Sequence, residues 1–391
     1  MRKKFTYTIL FLIFILAIGH IIVINSTRTD IYIQSVSHDG SRVLYNLDKF
    51  YWVPTHYLTG KRRNNQSLTT HINLYNIDTD EITELSRVIE DSHLDVRTVM
   101  YMNMSGDGSS VFFTARMNQD DSDRERNTSQ NIYVYNIYTE EISPLGHNRM
   151  LDEDVFFEAV SYDGSLVLFS QYQNVDNRQM RVAYIFDRSN DEMIRMPHET
   201  TYMSFLDMSA DGSTFLYKYD DTQMYRYTYP DFSESIIEFK DYVNTDMRVR
   251  RAQISFDGAH TSVLVGNKLY KDTYNGERIT IPFNDNNHTE GTVLFHANSD
   301  ATVYAMTRFI DNDNTGVRES DIIIYRTEDM SRITVLPYDP DAFHLTTHIS
   351  GDGSRIFYYH DTSSHLRPLA YRGYVYDIQT NRFIALPMSF K

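Results

Sequence analysis

"NMSGDGSSVFFTA", residues 103–115, places a Ser-Gly-Asp-Gly turn between two apolar stretches. An Asp-Gly pair in this setting predicts a tight turn between two strands, because Gly adopts the positive φ that such a turn requires. Related turns recur along the chain, and one of them is a degenerate copy. Their aspartates are Asp39, Asp107, Asp163, Asp211, Asp257, Asp300 and Asp352. This recurrence indicates a protein built from seven structural repeats.

Each turn belongs to a longer unit of about fifty residues. A short strand precedes the turn and an apolar strand follows it; a third strand such as "IYVYN" and a short fourth strand complete the unit. Seven units of four antiparallel strands predict an all-β fold, a seven-bladed β-propeller over residues 31–387. The seventh unit contains all four strands, so we expect the ring to close between complete blades. No long amphipathic helix is expected in residues 30–391.

In such a blade the Asp-Gly turn joins the innermost strand to the second strand. The Ser and Asp side chains of the turn can bond nearby backbone groups and hold its shape. We therefore interpret the seven repeated aspartates as structural residues.

The repeat resembles the TolB-type, WD-like propeller repeat. The resemblance is carried best by "SGDGSSVFFTA…NIYVYNIYTEEIS" and "SGDGSRIFYYH…GYVYDIQTNRFIAL". The chain usually lacks the Pro before Asp-Gly and the Gly of the "TG" turn, and no separate domain like the one that precedes the propeller in TolB is expected. The resemblance implies the propeller fold, but it implies no particular activity, because propellers host unrelated functions.

The first thirty residues have a different composition. Residues 1–4, "MRKK", are basic and residues 5–24 contain no permanently charged side chain. Twenty apolar residues match the thickness of a bilayer, so we predict a transmembrane signal-anchor with a cytoplasmic N-terminus, a linker at residues 25–30 and an extracytoplasmic propeller. The alternative is a secreted protein whose signal peptide is cleaved near Ala17 and Gly19.

Composition excludes several classes of function. The 391-residue chain has no cysteine, which excludes disulfides, thiolate metal sites and cysteine nucleophiles. Its net charge of -16 leaves no basic face for nucleic acid. No G-x-S-x-G motif occurs, so the hydrolase site of prolyl oligopeptidases is not expected. A single tryptophan argues against a quinoprotein propeller, and we expect no cofactor.

Two groups of residues are weak candidates for metal ligands. Asp311 and Asp313 follow the spacing of a calcium loop, but position 12 is Ile322 instead of the required Glu. His344 and His348 lie on one face of the predicted inner strand "HLTTHIS". A solvated loop and packed histidines are the default interpretation, so no metal site is predicted.

Long connections between the second and third strands are predicted on one face of the propeller. They cover residues 48–71, 117–130, 171–181, 309–321 and 361–373. Because loops on a rigid scaffold often bind partners, we predict a non-enzymatic, membrane-anchored module that binds an unidentified protein through this face. The alternative is an enzyme or carbohydrate-binding protein that uses the central mouth of the propeller.

The first of these loops is unusual in an acidic domain. Its aromatic and basic residues include Tyr51, Trp52, Lys61, Arg62 and Arg63. Such side chains favour the headgroup region and anionic lipids, so we predict that they contact the membrane or a partner at its surface. The alternative is a loop that folds back on the first blade, with Trp52 in the core.

Overall fold

The computed structural model describes residues 27–388 apart from several internal segments. Those segments are residues 52–66, 93, 95, 118–129, 147–154, 176–177, 201–203, 219–223, 232, 238–248, 266–267, 274–277, 282–292, 313–316, 330, 337–342 and 362–370. The predicted anchor at residues 5–24 lies outside the described part. A search of the described residues for a helix of sufficient length and hydropathy to cross a bilayer finds none.

The described residues form strands and one short helix. The first four blades contain β1 (Thr27–Val36), β2 (Arg42–Tyr51), β3 (Ser67–Asn76), β4 (Glu81–Glu84), β5 (Val96–Met104), β6 (Ser110–Met117), β7 (Gln130–Asn136), β8 (Glu141–Pro144), β9 (Val155–Val160), β10 (Leu166–Val175), β11 (Arg178–Asp187), β12 (Glu192–Thr200), β13 (Ser204–Met208), β14 (Thr214–Lys218), β15 (Met224–Thr228) and β16 (Ser233–Ile237).

The last three blades contain β17 (Val249–Ile254), β18 (His260–Val265), β19 (Lys268–Thr273), β20 (Arg278–Ile281), β21 (Val293–Ala297), β22 (Val303–Asn312), β23 (Val317–Arg326), β24 (Arg332–Leu336), β25 (Phe343–Ile349), β26 (Arg355–Asp361), β27 (Tyr371–Asp377) and β28 (Arg382–Ala385). The helix, α1 (Leu85–Asp91), connects β4 to the second blade.

Each blade is a sheet of four strands that are consecutive in the sequence. The strand order is β1-β2-β3-β4 in the first sheet and continues in the same way to β25-β26-β27-β28, with antiparallel neighbours throughout. The predicted seven-bladed β-propeller is therefore confirmed. No sheet combines strands from both ends of the chain, so the ring closes between complete blades.

The apolar core is divided among the interfaces between neighbouring blades. Seven clusters of buried side chains occur in the described residues, one at each interface. At the closure, Ile31 and Tyr45 of the first blade pack with Phe357 and Val375 of the seventh. A blade has two apolar faces, and this radial arrangement covers both of them, which explains the many Tyr and Phe residues.

The short helix α1 contributes Leu85 and Ile89 to the interface between the first and second blades. The sequence did not predict this helix. Seven residues are about two turns, too short for a periodic apolar pattern to stand out from the neighbouring strands.

Hydrogen bonds within each Ser-x-Asp-Gly turn fix its shape. In the first blade Ser37 Oγ donates to Asp39 Oδ1 at 2.6 Å, and the Ser41 N–H donates to the same oxygen at 2.9 Å. Gly40 has a φ of +66°, as a turn of this type requires. In the degenerate sixth copy Ala301 adopts a φ of +55° at the equivalent position, so the turn is preserved without its glycine.

Candidate functional site in the central channel

The second residues of the seven turns meet around the propeller axis. They are His38, Gly106, Tyr162, Ala210, Phe256, Ser299 and Gly351. One backbone hydrogen bond of 2.5 to 3.0 Å joins each turn to the next. The donor and acceptor pairs are His38 N–H to Gly106 O (2.6 Å), Asp107 N–H to Tyr162 O (2.8 Å), Tyr162 N–H to Ala210 O (2.6 Å), Ala210 N–H to Phe256 O (3.0 Å), Phe256 N–H to Ser299 O (2.5 Å), Ser299 N–H to Gly351 O (2.9 Å) and Gly351 N–H to His38 O (2.6 Å). The last of these bonds closes the circle.

Three rings from this circle pack against one another and form what we call the aromatic plug, His38, Tyr162 and Phe256. Their centroids lie 5.0 to 5.4 Å apart in edge-to-face geometry. The rings come from the first, third and fifth blades, which can meet only at the axis. The aromatic plug therefore closes the channel at the turn face, and a ligand in the channel must enter from the opposite face.

A layer of polar side chains lies deeper in the channel, two residues before the first residue of each turn. This polar layer consists of Ser35, Asn103, Ala159, Asp207, Gln253, His296 and His348. Six of the seven positions are polar, although they lie on the innermost strands of an otherwise apolar core. Innermost strands have a neighbouring strand on one side only, and their other edge faces the axis.

Part of the polar layer ties neighbouring blades together. Asp207 Oδ2 accepts the Ile254 N–H at 2.9 Å, and Gln253 Oε1 accepts the Ala297 N–H at 2.7 Å. Both bonds cross from one blade to the next. These bonds satisfy backbone donors of the neighbouring innermost strands, which is a structural role.

Three basic side chains from consecutive blades form a group that we call the basic cluster, Arg251, His296 and His348. Arg251 Nη2 donates to His296 Nδ1 at 3.3 Å, and the imidazole rings of His296 and His348 lie 5.6 Å apart. His296 is buried, while Arg251 and His348 keep part of their surface accessible. His348 Nδ1 is buried and contacts no hydrogen-bond partner among the described residues.

Burial determines the charge state of this group. Desolvation and, to a smaller extent, the positive charge of Arg251 lower the pKa of His348 to about 4. The pKa of His296 is also lowered well below its ordinary value, first by desolvation and then by Arg251 and His348. Burial raises the pKa of Asp207 to about 6, although two backbone N–H bonds and Arg251 oppose that shift. At neutral pH the two histidines are uncharged and Arg251 carries the positive charge.

The predicted metal ligands do not converge in the described residues. Asp311 lies in β22 opposite Arg318 of β23, and Asp313 is outside the described residues. His348 belongs to the basic cluster, while His344 pairs with His360 on the neighbouring strand. No group of three or more His, Asp or Glu side chains in the described part of the chain is arranged to hold a metal ion.

The predicted membrane-contacting residues cannot be placed. Trp52, Lys61, Arg62 and Arg63 lie outside the described residues, and only the backbone of Tyr51, at the end of β2, is described. The first-loop hypothesis therefore stays a prediction.

The basic cluster was missed by the sequence analysis, although the sequence contains a signal for it. Aligning the repeats on their turns puts His296 and His348 at the same position and Arg251 two residues earlier. The histidines appeared unrelated because they were compared along the whole chain and not by repeat position.

No protein-family model matches this chain. No curated protein sequence matches it either. Comparison with solved structures, in contrast, finds many propellers.

The solved structures share the fold at low sequence identity. A prolyl endopeptidase is 10% identical with a TM-score of 0.61, and the match covers 92% of this chain and 50% of that one. An oligogalacturonate lyase from Vibrio parahaemolyticus is 12% identical with a TM-score of 0.57, over 91% of this chain and 92% of that one. The β-propeller domain of the trilobed protease from Pyrococcus furiosus, described as having an open velcro topology, is 12% identical with a TM-score of 0.56. That match covers 92% of this chain and 97% of that one.

These likenesses show the propeller fold alone, and the chain spans about half the length of the prolyl endopeptidase that it matches. TolB from Acinetobacter baumannii is also similar, at 15% identity, but its TM-score of 0.40 carries no argument. The propeller fold that the repeat implied is confirmed by the other structures, whereas no family model assigns the chain to the TolB family.

The prediction of a non-enzymatic module that binds a protein through its loop face was wrong. Several of the similar structures are peptidases, and one is a lyase that matches over nearly its whole length. They agree better with the alternative prediction of an enzyme or carbohydrate-binding protein that uses the central mouth. The error arose because the sequence analysis found no converging set of titratable side chains, whereas the channel contains one.

Proposed function

We propose that the protein is an enzyme or carbohydrate-binding protein whose ligand occupies the central channel, with an anionic group of the ligand at Arg251. The observation that carries this proposal is the convergence of the basic cluster. Arg251, His296 and His348 come from three consecutive innermost strands, and the chain around them has a net charge of -16. The positive charge of Arg251 in the channel of an acidic protein favours an anionic ligand there.

A carboxylate fits the donors of the basic cluster. The guanidinium of Arg251 presents several N–H groups, and only one of its nitrogens, Nη2, is needed for the bond to His296. The Asp207 carboxylate interacts electrostatically with Arg251, and each of its oxygens also accepts one backbone N–H, from Met208 or Ile254. Arg251 can therefore pair with a ligand carboxylate through charge-assisted hydrogen bonds.

His348 adds the capacity for acid–base chemistry. It is uncharged at neutral pH because burial lowers its pKa to about 4. Its Nδ1 contacts no partner among the described residues. A neutral imidazole that meets a bound ligand can accept a proton, which is the role of a general base, although the buried Nδ1 is not the nitrogen that would meet the ligand.

Uronic acids are suitable first probes, because they combine a carboxylate with a carbohydrate ring. One similar structure is an oligogalacturonate lyase, and its substrate class enters only as a choice of probe. We expect calorimetry of residues 27–391 to show that galacturonic acid binds and that galactose binds at least about tenfold more weakly, since the carboxylate supplies charge-assisted hydrogen bonds. A tripeptide with a free C-terminus tests whether a peptide carboxylate is preferred.

Arginine substitutions complete the experiment. Arg251→Gln should abolish the preference for galacturonic acid, whereas Arg382→Gln, an exposed residue of the outer strand β28, should leave it unchanged. Equal binding of both sugars, or a preference that survives Arg251→Gln, would contradict the proposal. Circular dichroism shows whether each variant is folded.

We also propose the cellular location that the sequence predicts. Residues 5–24 would anchor the full chain in a membrane with the propeller on the extracytoplasmic side. Extraction of membranes with alkaline carbonate tests this. A chain released into the soluble fraction would contradict the anchor and favour the cleaved, secreted form.

A further inference from the structure

The channel wall opposite the basic cluster contains an exposed aromatic side chain. Tyr101 lies on the innermost strand β5 of the second blade, and 49% of its surface is accessible. Arg251 lies on the innermost strand of the fifth blade, and both residues stand four positions before the first residue of their turns. The second and fifth blades face each other across a seven-bladed ring, so Tyr101 lies across the channel from Arg251 at a similar depth.

The backbone of β5 is distorted at this residue. The register with β6 shifts between Met100 and Met102, so Tyr101 is the additional residue of a β-bulge. Its φ is +28°, which is costly for a residue with a side chain. Bulges redirect side chains, and register shifts also occur in the innermost strands β1, β9, β13, β17 and β25. Here the bulge leaves a large aromatic ring half-exposed on the innermost strand of the second blade.

A second aromatic ring from the next blade extends this surface. Phe156 of β9 lies 5.8 Å from Tyr101, and Tyr172 packs edge-on against Phe156 at 5.4 Å. The Arg181 guanidinium lies over the Phe156 ring at 5.0 Å from its centroid. Tyr101 and Phe156 therefore form a continuous aromatic surface, which we call the aromatic wall.

Polar contacts behind the aromatic wall hold it in place. Arg181 forms an ion pair with Glu158, and Ser170 Oγ also donates to Glu158 Oε1 at 2.5 Å. Arg181 Nε donates to Ser170 Oγ at 2.8 Å. Glu158 and Ser170 thus fix the guanidinium that covers the Phe156 ring, so this ring does not need to reorganise when a ligand binds.

We infer that the aromatic wall is a subsite for the face of a sugar ring, so that the channel accommodates a short uronic-acid oligosaccharide and not a single sugar. The inference rests on the proposed function, since it places a carboxylate at Arg251 and a further ring against Tyr101. The C–H face of a sugar is apolar and flat enough to stack on an aromatic ring, while its hydroxyl groups suit the polar layer. An aromatic wall and a basic cluster on opposite sides of one channel match those two parts of the ligand.

The length of the oligosaccharide is the variable that tests this subsite. We expect the trimer of galacturonic acid to bind the wild-type protein about tenfold more tightly than galacturonic acid itself, since a stacked ring adds binding energy beyond the carboxylate contact. Tyr101→Ala should remove this gain, while Tyr101→Phe should retain it. Tyr138→Ala is the matched control, because Tyr138 is 70% exposed in the same blade but lies in the turn between β7 and β8.

A neutral galactose trimer separates the subsite from the proposed function. If both trimers bind more tightly than their monomers and Tyr101→Ala removes this gain in affinity, the aromatic wall is supported even if carboxylates are not preferred. If galacturonic acid binds through Arg251 but its trimer binds no more tightly, the inference is overturned and the proposed function stands. A gain that survives Tyr101→Ala also overturns the inference.

Discussion

The backbone N–H of Gly351 donates a 2.6 Å hydrogen bond to the carbonyl of His38, which joins the seventh blade to the first at the axis. A Cβ at position 351 would lie 2.1 Å from Cδ2 of His38. The glycine therefore permits the histidine of the aromatic plug to lie directly over the closing bond. Closure of the ring and closure of the channel depend on the same pair of residues.

Gly351→Ala should destabilise the protein by about 1–3 kcal/mol, the usual cost of overpacking, because the new methyl group collides with His38. Urea unfolding of residues 27–391 measures this. The double variant with His38→Ala removes the obstructing ring and should recover part of the loss, since Ser299 Oγ also lies 2.4 Å from the new Cβ. If Gly351→Ala costs the same with and without His38→Ala, the contact between the two residues is not the cause.

The turn aspartates should contribute to stability through their hydrogen bonds. Asp352 Oδ1 accepts Ser350 Oγ–H at 2.6 Å and the Ser354 N–H at 2.9 Å. Asp352→Ala should lower the free energy of unfolding by about 1–3 kcal/mol, since it removes bonds to a charged acceptor and leaves Ser350 without that partner. Asp231→Ala changes an exposed aspartate of another turn and should have almost no effect. Equal effects of the two substitutions would contradict the role given to Asp352.

Much of the fold could be predicted because the signal is repeated. A single turn such as Ser105 to Gly108 indicates only a hairpin, but seven turns followed by similar strands indicate seven blades. The closure between complete blades was predictable for the same reason. The aromatic plug was not, because His38, Tyr162 and Phe256 stand at variable positions of the motif and meet only through the ring symmetry.

The basic cluster shows a second limit of sequence analysis. His296 and His348 are separated by a whole repeat, and Arg251 belongs to a third repeat. Their contacts follow from the closed geometry, in which equivalent strand positions of neighbouring blades approach each other. Tyr101 was even less predictable, since the bulge that exposes it depends on its pairing with β6.

Acidification should weaken the fold through His348. Its pKa in the folded protein is about 4, below the usual 6.5. Between these values the unfolded chain binds a proton that the folded protein does not, so the free energy of unfolding should fall as the pH drops from 6.5 to about 4. Urea unfolding across this range should show a smaller decrease for His348→Gln than for the wild type. An unchanged decrease would show that His348 is not a buried neutral histidine.

Asp207 should have the opposite effect on the same pH range. Its pKa is raised by burial from 3.8 to about 6, so the folded protein holds a proton that the unfolded chain releases. The resulting stabilisation of the folded protein is complete below pH 3.8 and is lost as the pH rises through about 6. Asp207→Asn removes this titration. As the pH is raised from 4 to 6, the free energy of unfolding of this variant should therefore rise more steeply than that of the wild type. Parallel curves for the two proteins would contradict the raised pKa.

The central claim is that a carboxylate ligand binds beside Arg251, and the imidazole resonances of His296 and His348 test it most directly. In spectra of protein with 15N-labelled histidine, assigned with His→Gln variants, we predict that saturating galacturonic acid shifts both resonances. We predict that His71, which is bonded to Glu84 in the first blade, does not shift and that galactose has no effect. Saturable binding of galacturonic acid that leaves His296 and His348 unshifted would place the ligand elsewhere and contradict the account.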